Sequence, residues 1–211
     1  MQAGLLTLVQ WLSPAFPTGA FAYSHGLETA VADDRLTTPA QLEAWLTSLL
    51  QHGTGWQDAV LLAQGLDHET DLDHLETTSR ALQSSAERLT ETLDQGTAFA
   101  NTLTQITGTI HPPRTLLVAL AHAARPLNLS KAQVISLYLH AFASNLTSMA
   151  VRSVPLGQSQ GQALLASLHP TIEAIAQRAT TTTLQDLASS SFASDIAAMQ
   201  HETLQPRLYR S

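Results

Sequence analysis

The 211-residue sequence has no cysteine, one lysine and few charged side chains of either sign. Without cysteine, disulfides, thiolate nucleophiles and cysteine-ligated metal clusters are excluded. The positively charged residues are one lysine, Lys131, and nine arginines. The formal net charge is -7, and the sequence contains no basic run. Nucleic acid and anionic membranes are therefore poor partners. No apolar run approaches the roughly 20 residues of a membrane span. These absences favour a globular protein that binds other proteins.

The length predicts a single domain over residues 1–211, and the hydrophobic content of 44% is enough for a core without a disulfide or metal. The N-terminus resembles a secretory signal in its apolar residues 5–12 and its Ala20-Phe21-Ala22. However, Arg35 is the first positive residue, and prolines interrupt the stretch. We therefore expect a cytoplasmic protein.

Two capping boxes mark helix starts. Thr38-Pro39-Ala40-Gln41 combines an N-cap, a proline at the first helical position and a glutamine three residues after the cap. Ser130-Lys131-Ala132-Gln133 repeats the pattern before residues 134–151, which are apolar almost all round. The second helix should therefore lie centrally in the core.

Helical spacing of apolar residues continues along most of the chain, whereas alternating strand patterns are scarce. The spacing predicts further helices over residues 56–66, 71–103, 115–124, 171–187 and 195–204. Residues 13–26, 111–113 and 154–161 are predicted loops. The fold class is therefore all-α, a single-domain bundle of about eight to ten helices.

Signals for catalysis are weak. Lys131 has no glycine-rich loop beside it, so a phosphate-binding loop is excluded. Ser24 lies in a degenerate nucleophile elbow, AYSHG, but a strand-to-helix turn is not expected there. The acidic residues 67–74 lack the histidine spacing of a helical zinc site and the glycine of a calcium loop, so a solvated loop that enters a helix is the better interpretation. We expect no active site and no tightly bound cofactor.

Three segments nevertheless have distinctive sequences. Residues 12–28 read LSPAFPTGAFAYSHGLE. Asn145 is followed by AVRSVPLGQ at residues 150–158, and then by Gly161-Gln162. The chain ends with DIAAMQHE at residues 195–202 and RLYRS at residues 207–211. In this order and spread over the chain, they resemble the UreF family of urease accessory proteins. Ala20 replaces a second glycine, Tyr209 a phenylalanine, and Ser194 a proline that often precedes the aspartate.

The resemblance implies an all-α homodimer that assembles with a UreD/UreH-type accessory protein and a UreG-type GTPase on apo-urease. The complex would insert nickel in a GTP-dependent step, with nickel handled by the complex. The alternative function is a GTPase-activating or fidelity-regulating protein that supplies an arginine in trans.

The partner-binding residues that the resemblance implies fall in the same three segments. The first segment supplies Ser13, Pro14, Pro17, Gly19, Tyr23, Ser24, His25 and Glu28. The second supplies Arg152, Pro155, Gly157 and Gln158, and the third supplies His201, Glu202, Arg207, Leu208, Tyr209, Arg210 and Ser211.

For several of these residues a structural role competes with a partner-binding role. We expect the first segment to present Tyr23 and His25 to a partner, although Tyr23 could instead cap the core. Residues 205–211 should become ordered on the UreD-type partner, through charge-assisted contacts of Arg207 and Arg210. Arg152, Pro155 and Gly157 could simply end a helix.

Overall fold

Local capping sets the start of several helices in the computed structural model, which describes residues 2–188 and 190–210. The Thr38 side chain accepts a hydrogen bond from the Gln41 N–H at the start of helix Pro39–His52. Ser130 caps helix Lys131–Ser153 in the same way through Gln133. Both predicted capping boxes are confirmed.

All regular structure within the described residues is helical, which confirms the all-α prediction. Three 3₁₀ turns lie at Ala20–Ala22, Arg125–Leu127 and Leu184–Asp186. The eleven α-helices in this part of the chain are α1 (Gln2–Trp11), α2 (Leu27–Ala32), α3 (Pro39–His52), α4 (Thr54–Gly65), α5 (Leu72–Ala81), α6 (Ala86–Thr107), α7 (Leu116–Ala124), α8 (Lys131–Ser153), α9 (Gln158–Ser167), α10 (His169–Ala179) and α11 (Phe192–His201).

Several helix boundaries differ from the prediction. The stretch 71–103 is two helices, because α5 ends at Ala81 and Ser85 accepts from the Arg88 N–H to start α6. The predicted loop 154–161 already contains the start of α9, where Gln160 accepts from the Gly157 N–H. Residues 67–71 of the acidic segment form the expected loop and residues 72–74 begin α5, which Asp71 caps through the N–H groups of Asp73 and His74.

Helices α4, α7 and α8 form the centre of the molecule. Ten of the twelve residues of α4 are buried, so α4 is enclosed by its neighbours on nearly every side. Helix α8 is long and apolar enough to cross a membrane, yet half of its most apolar window is buried within the protein. It packs against α4, α9 and α10, as a core helix does.

The N-terminal loop, residues 12–26, lies over this core. Phe16 packs on Phe99 of α6, with ring centroids 5.6 Å apart. The Asn145 side-chain amide on α8 donates to the Ala20 carbonyl at 2.8 Å. Gly19 and Gly26 have φ of 77° and 75°, a conformation that glycine adopts without steric cost. These contacts fix the loop between α6 and α8.

Candidate functional site

The three distinctive sequence segments come together on one face of the structure. Asn145, from the second segment, binds the N-terminal loop at Ala20. The end of the third segment binds the same loop, because the Arg210 N–H donates to the Ala22 carbonyl at 2.7 Å. The Arg152 guanidinium, from the second segment, lies 5.8 Å from the Tyr209 ring centroid. The first segment is more than one hundred residues from the other two in sequence, and the three together build one site.

Residues 205–210 form a strap across this site. Glu28 of α2 accepts from the backbone N–H groups of Leu208 and Tyr209, at 2.6 and 3.0 Å. Arg207 forms an ion pair with Glu87 of α6 at 2.5 Å. The strap is thus already ordered on its own chain, and its contact with a UreD-type partner stays a prediction. Ser211, also predicted to bind a partner, lies outside the described residues.

The side chains of Tyr23, Ser24 and His25 point inward rather than toward a partner. Their exposed fractions are 4%, 0% and 6%. The Tyr23 hydroxyl donates to Asp94 at 3.4 Å, and Arg210 hydrogen-bonds Tyr23 from the strap. The expectation that Tyr23 and His25 are presented on the surface is therefore wrong for this structure. A fully buried Ser24, away from any strand-to-helix turn, also gives no support to a hydrolase.

A buried polar network lies below the N-terminal loop. His25 Nε2 is 3.0 Å from Glu91 Oε1 and 3.0 Å from Arg88 Nη1, and Arg88 also pairs with Glu91. Gln95 donates to Glu91 at 2.9 Å. These side chains border a cavity of about 110 Å³ whose other walls include Trp11, Phe16, Phe99 and Phe142. Because His25 belongs to the N-terminal loop and Arg88 and Glu91 belong to α6, the network joins the end of this loop to α6.

The pKa values of several groups in this network, and of Asp58 beside it, are strongly shifted. Burial alone would raise the pKa of Glu91, but the Arg88 guanidinium and His25 lower it to about 2. Burial raises the pKa of Asp58 to about 6, against the opposing effects of Arg88 and of the Tyr138 hydroxyl, which donates to Asp58 at 2.6 Å. Burial, followed by the nearby Arg88 charge, lowers the pKa of His25. Glu91 is therefore the ionised partner of Arg88 at neutral pH.

Comparison of the sequence with known proteins identifies the family of this chain. The family model described as UreF matches residues 36–169. The chain is 52% identical over its whole length to the full-length urease accessory protein UreF of Cereibacter sphaeroides. The chain belongs to the UreF family. It is also 47% identical to the UreF protein of Paracoccus denitrificans, over all of this chain and 97% of that protein, and 41% identical to that of Jannaschia sp., over 99% of this chain and 94% of that protein.

Other residues that the UreF resemblance indicated have local structural roles. Glu202 accepts from the Ala86 N–H at 3.1 Å, at the start of α6. His201 is fully buried between Glu28 and Glu87, so its side chain is not exposed on this chain, and its role in partner binding stays a prediction. Pro155, Gly157 and Gln158 are exposed at the turn from α8 to α9.

The N-terminal prolines and Ser13 shape the start of the loop in this UreF-family chain. The Ser13 hydroxyl accepts from the Ala15 N–H at 3.2 Å. Pro14 and Pro17 are exposed on either side of the buried Phe16. Because proline restricts the backbone, this arrangement favours a rigid loop.

Large apolar side chains are exposed on the face that carries the strap. Leu208 on the strap is 85% exposed and Phe21 on the loop is 66% exposed. On α11, Phe192, Ile196 and Met199 are 72%, 50% and 50% exposed, at the i, i+4, i+7 spacing of one helix face. We call the N-terminal loop, the strap and the outer face of α11 together the strap face. Contiguous exposed apolar patches mark interaction sites, whereas single exposed apolar side chains are common on any protein surface.

The polar and charged residues of α6 that contribute to this site were not predicted from the sequence. Glu87 holds the strap, whereas Arg88, Glu91 and Gln95 form the buried network. The spacing of these residues in the sequence could have indicated that they are buried together, because residues 88, 91, 92, 95 and 99 fall on one face of a helix. That face is apolar at Phe99 and Leu103, so the polar residues before them had to be buried as well.

Proposed function

We propose that this chain is a non-catalytic adaptor in urease maturation, whose strap face binds the UreD/UreH-type accessory protein. The bound pair would recruit the UreG-type GTPase to apo-urease for GTP-dependent nickel insertion, with nickel as the cargo of the complex. The observation that carries the proposal is the convergence of the three distinctive segments around exposed Leu208 and Phe21. The relatives' name, urease accessory protein, supports the urease context.

The strap suits a binding role because its backbone is fixed while Leu208 faces outward. Glu28 and Glu87 hold the residues on either side of that side chain. A partner that buries Leu208 therefore meets a segment that is already ordered, so it loses less conformational entropy on binding.

The alternative function, an arginine supplied to the GTPase, has less support. Arg152 packs over Tyr209, Arg207 pairs with Glu87, and Arg210 hydrogen-bonds Tyr23. Arg152 on α8 and both arginines of the strap are thus already engaged, and the use of any of them in trans would require breaking an existing contact.

A pair of matched substitutions tests the proposal. Leu208 and Ile110 are exposed to nearly the same extent, 85% and 83%. Ile110 follows the far end of α6, about 30 Å along that helix from the strap contact at Glu87. Leu208→Asp should abolish co-purification with the UreD/UreH-type protein, whereas Ile110→Asp should retain it. Undiminished binding by Leu208→Asp, or equal loss in both variants, would refute the strap face as the binding site.

Deletion of residues 207–211 should have the same effect on binding as Leu208→Asp while leaving the helical circular dichroism unchanged.

The homodimer and the cytoplasmic location remain predictions. Light scattering on the purified chain and cell fractionation, respectively, test them.

A further inference from the structure

The cavity below the N-terminal loop is bordered by more negative than positive charge. Among the described residues that line it, the side chains that carry a full charge are those of Arg88, Glu91 and Asp58. Arg88 pairs with Glu91, whereas Asp58 accepts from the neutral Tyr138 hydroxyl. Asp58 is buried, and with a pKa of about 6 it is ionised at pH 8. One guanidinium thus faces two buried carboxylates, a charge that a positively charged ligand would balance.

His25 places a hydrogen-bonding atom without a partner on the same cavity. The side chain borders the cavity, and its buried Nδ1 atom has no hydrogen-bond partner among the described residues. Nε2 lies 3.0 Å from the carboxylate of Glu91, which is a strong acceptor. Because burial and the Arg88 charge lower the pKa of His25, the ring is neutral, and we place its proton on Nε2. Nδ1 then offers a lone pair that accepts a hydrogen bond.

The backbone of His25 holds the imidazole at this position at a steric cost. Its φ of 52° lies in the left-handed region, which residues with a Cβ atom seldom adopt. The Phe142 ring meets the imidazole edge to face, with centroids 4.8 Å apart, and so fixes the ring. Strained backbone is concentrated at functional sites. A strained residue with an unpaired buried nitrogen is therefore better explained by a binding site than by packing.

Aromatic rings form much of the wall around these polar groups. Trp11 meets Phe99 edge to face with centroids 5.7 Å apart, and Phe16 lies 5.6 Å from the same ring. The faces of aromatic rings attract cations. A cavity of roughly 150 Å³ holds a benzene molecule, so the cavity of about 110 Å³ suits a smaller ligand. The exposed side chain of Phe21 also lines the cavity, which therefore lies close to the surface.

We propose that this cavity is a binding site for a small primary alkylammonium ion, with Asp58 as the counter-charge and His25 Nδ1 as a hydrogen-bond acceptor. The ammonium N–H groups would donate to these two acceptors, and the short alkyl chain would lie against the aromatic rings. A quaternary ammonium ion has the charge but no N–H group, and an alcohol has a donor but no charge. An anion would meet a net negative charge. The site belongs to this chain alone and does not depend on the proposed function.

Titration of the purified full-length chain with ethylammonium chloride at pH 8 and constant ionic strength tests the site. Binding is followed by nuclear magnetic resonance, and the Tm is measured at each concentration. We expect a saturable rise in Tm, because a ligand that binds only the folded state stabilises it. Tetramethylammonium chloride, ethanol and sodium acetate are the comparison compounds. They should have no effect beyond that of sodium chloride.

The location of the ligand is tested on the wild type and on one matched pair of variants. Nuclear Overhauser effects should join the ethylammonium protons to the ring protons of Phe99, a readout that does not depend on any variant folding. Asp58→Asn keeps the shape but removes the charge, so it should weaken binding by about tenfold or more. Asp34→Asn, at an exposed position, should bind as the wild type does.

Three results would overturn the proposal. The absence of a saturable effect of ethylammonium on the wild type would mean that the cavity holds water only. An equal effect of tetramethylammonium or ethanol would show that charge and N–H donation are not both recognised. Undiminished binding by Asp58→Asn would place the ligand elsewhere. Since no accessory protein takes part, these results leave the test of partner binding unaffected.

Discussion

Replacement of Asp58 by asparagine tests the buried network through the pH dependence of stability. Asp58 is 3% exposed and accepts the Tyr138 hydroxyl at 2.6 Å. Asparagine has nearly the same shape, and its side-chain oxygen can accept the same hydrogen bond. The substitution therefore removes the titration of this group with little change in packing.

The magnitude follows from the pKa of Asp58, which burial raises from 3.8 to about 6. A pKa that is higher in the folded state means that folding binds a proton. The resulting stability is complete below pH 3.8 and is lost as pH rises to about 6. Since one pKa unit corresponds to about 1.4 kcal/mol, the wild type loses about 3 kcal/mol over this range. Asp58→Asn has no carboxyl group to ionise at this position, so it does not lose this stability as pH rises.

Urea denaturation at pH 4, 5, 6, 7 and 8 measures this effect. The free energy of unfolding of Asp58→Asn, relative to the wild type, should rise by about 3 kcal/mol between pH 4 and pH 8. Titration of the histidines is common to both proteins and cancels, and Glu91 titrates near pH 2, below the range. Asp34→Asn, at an exposed position, is the control and should show a constant difference. A constant difference for Asp58→Asn would refute the reasoning.

Two further substitutions test the packing and capping of the helices. Gly96→Ala should destabilise the protein by about 1–3 kcal/mol or more in urea denaturation, although Gly→Ala usually stabilises a helix. The added Cβ would lie 1.9 Å from the Arg114 carbonyl oxygen, and unchanged stability would contradict that close approach. Thr38→Ala should cost about 0.5–2 kcal/mol, because Thr38 accepts from the Gln41 N–H. Thr38→Ser, which keeps the hydroxyl, should recover most of this loss.

The helical fold was largely predictable because its signals are local. The two capping boxes involve residues within four positions of one another and gave the starts of α3 and α8. The interruption between α5 and α6 was missed, because the leucine repeat at residues 75, 82 and 89 continues across it. The new helix α6 is marked only by its N-cap, Ser85, and a single cap of this kind is common in sequences and easily overlooked.

The site was only partly predictable, because its assembly depends on tertiary contacts. The resemblance identified the segments, but contacts such as Asn145 with Ala20 join residues far apart in the chain. The burial of Tyr23 and His25 was missed for the same reason. Their local sequence is that of a loop, whereas their environment comes from α6, α8 and the strap.

The nickel content of urease tests the central claim most directly. Apo-urease and the other accessory proteins would be expressed with the wild-type chain, with Leu208→Asp, with Ile110→Asp, or without this chain, and the purified urease would be assayed for nickel. We expect nickel-loaded urease with the wild type and Ile110→Asp, and nickel-poor urease in the other two cases. Equal nickel content in the presence and absence of the chain would contradict an adaptor role. Full loading with Leu208→Asp would show that the strap face is not the surface used.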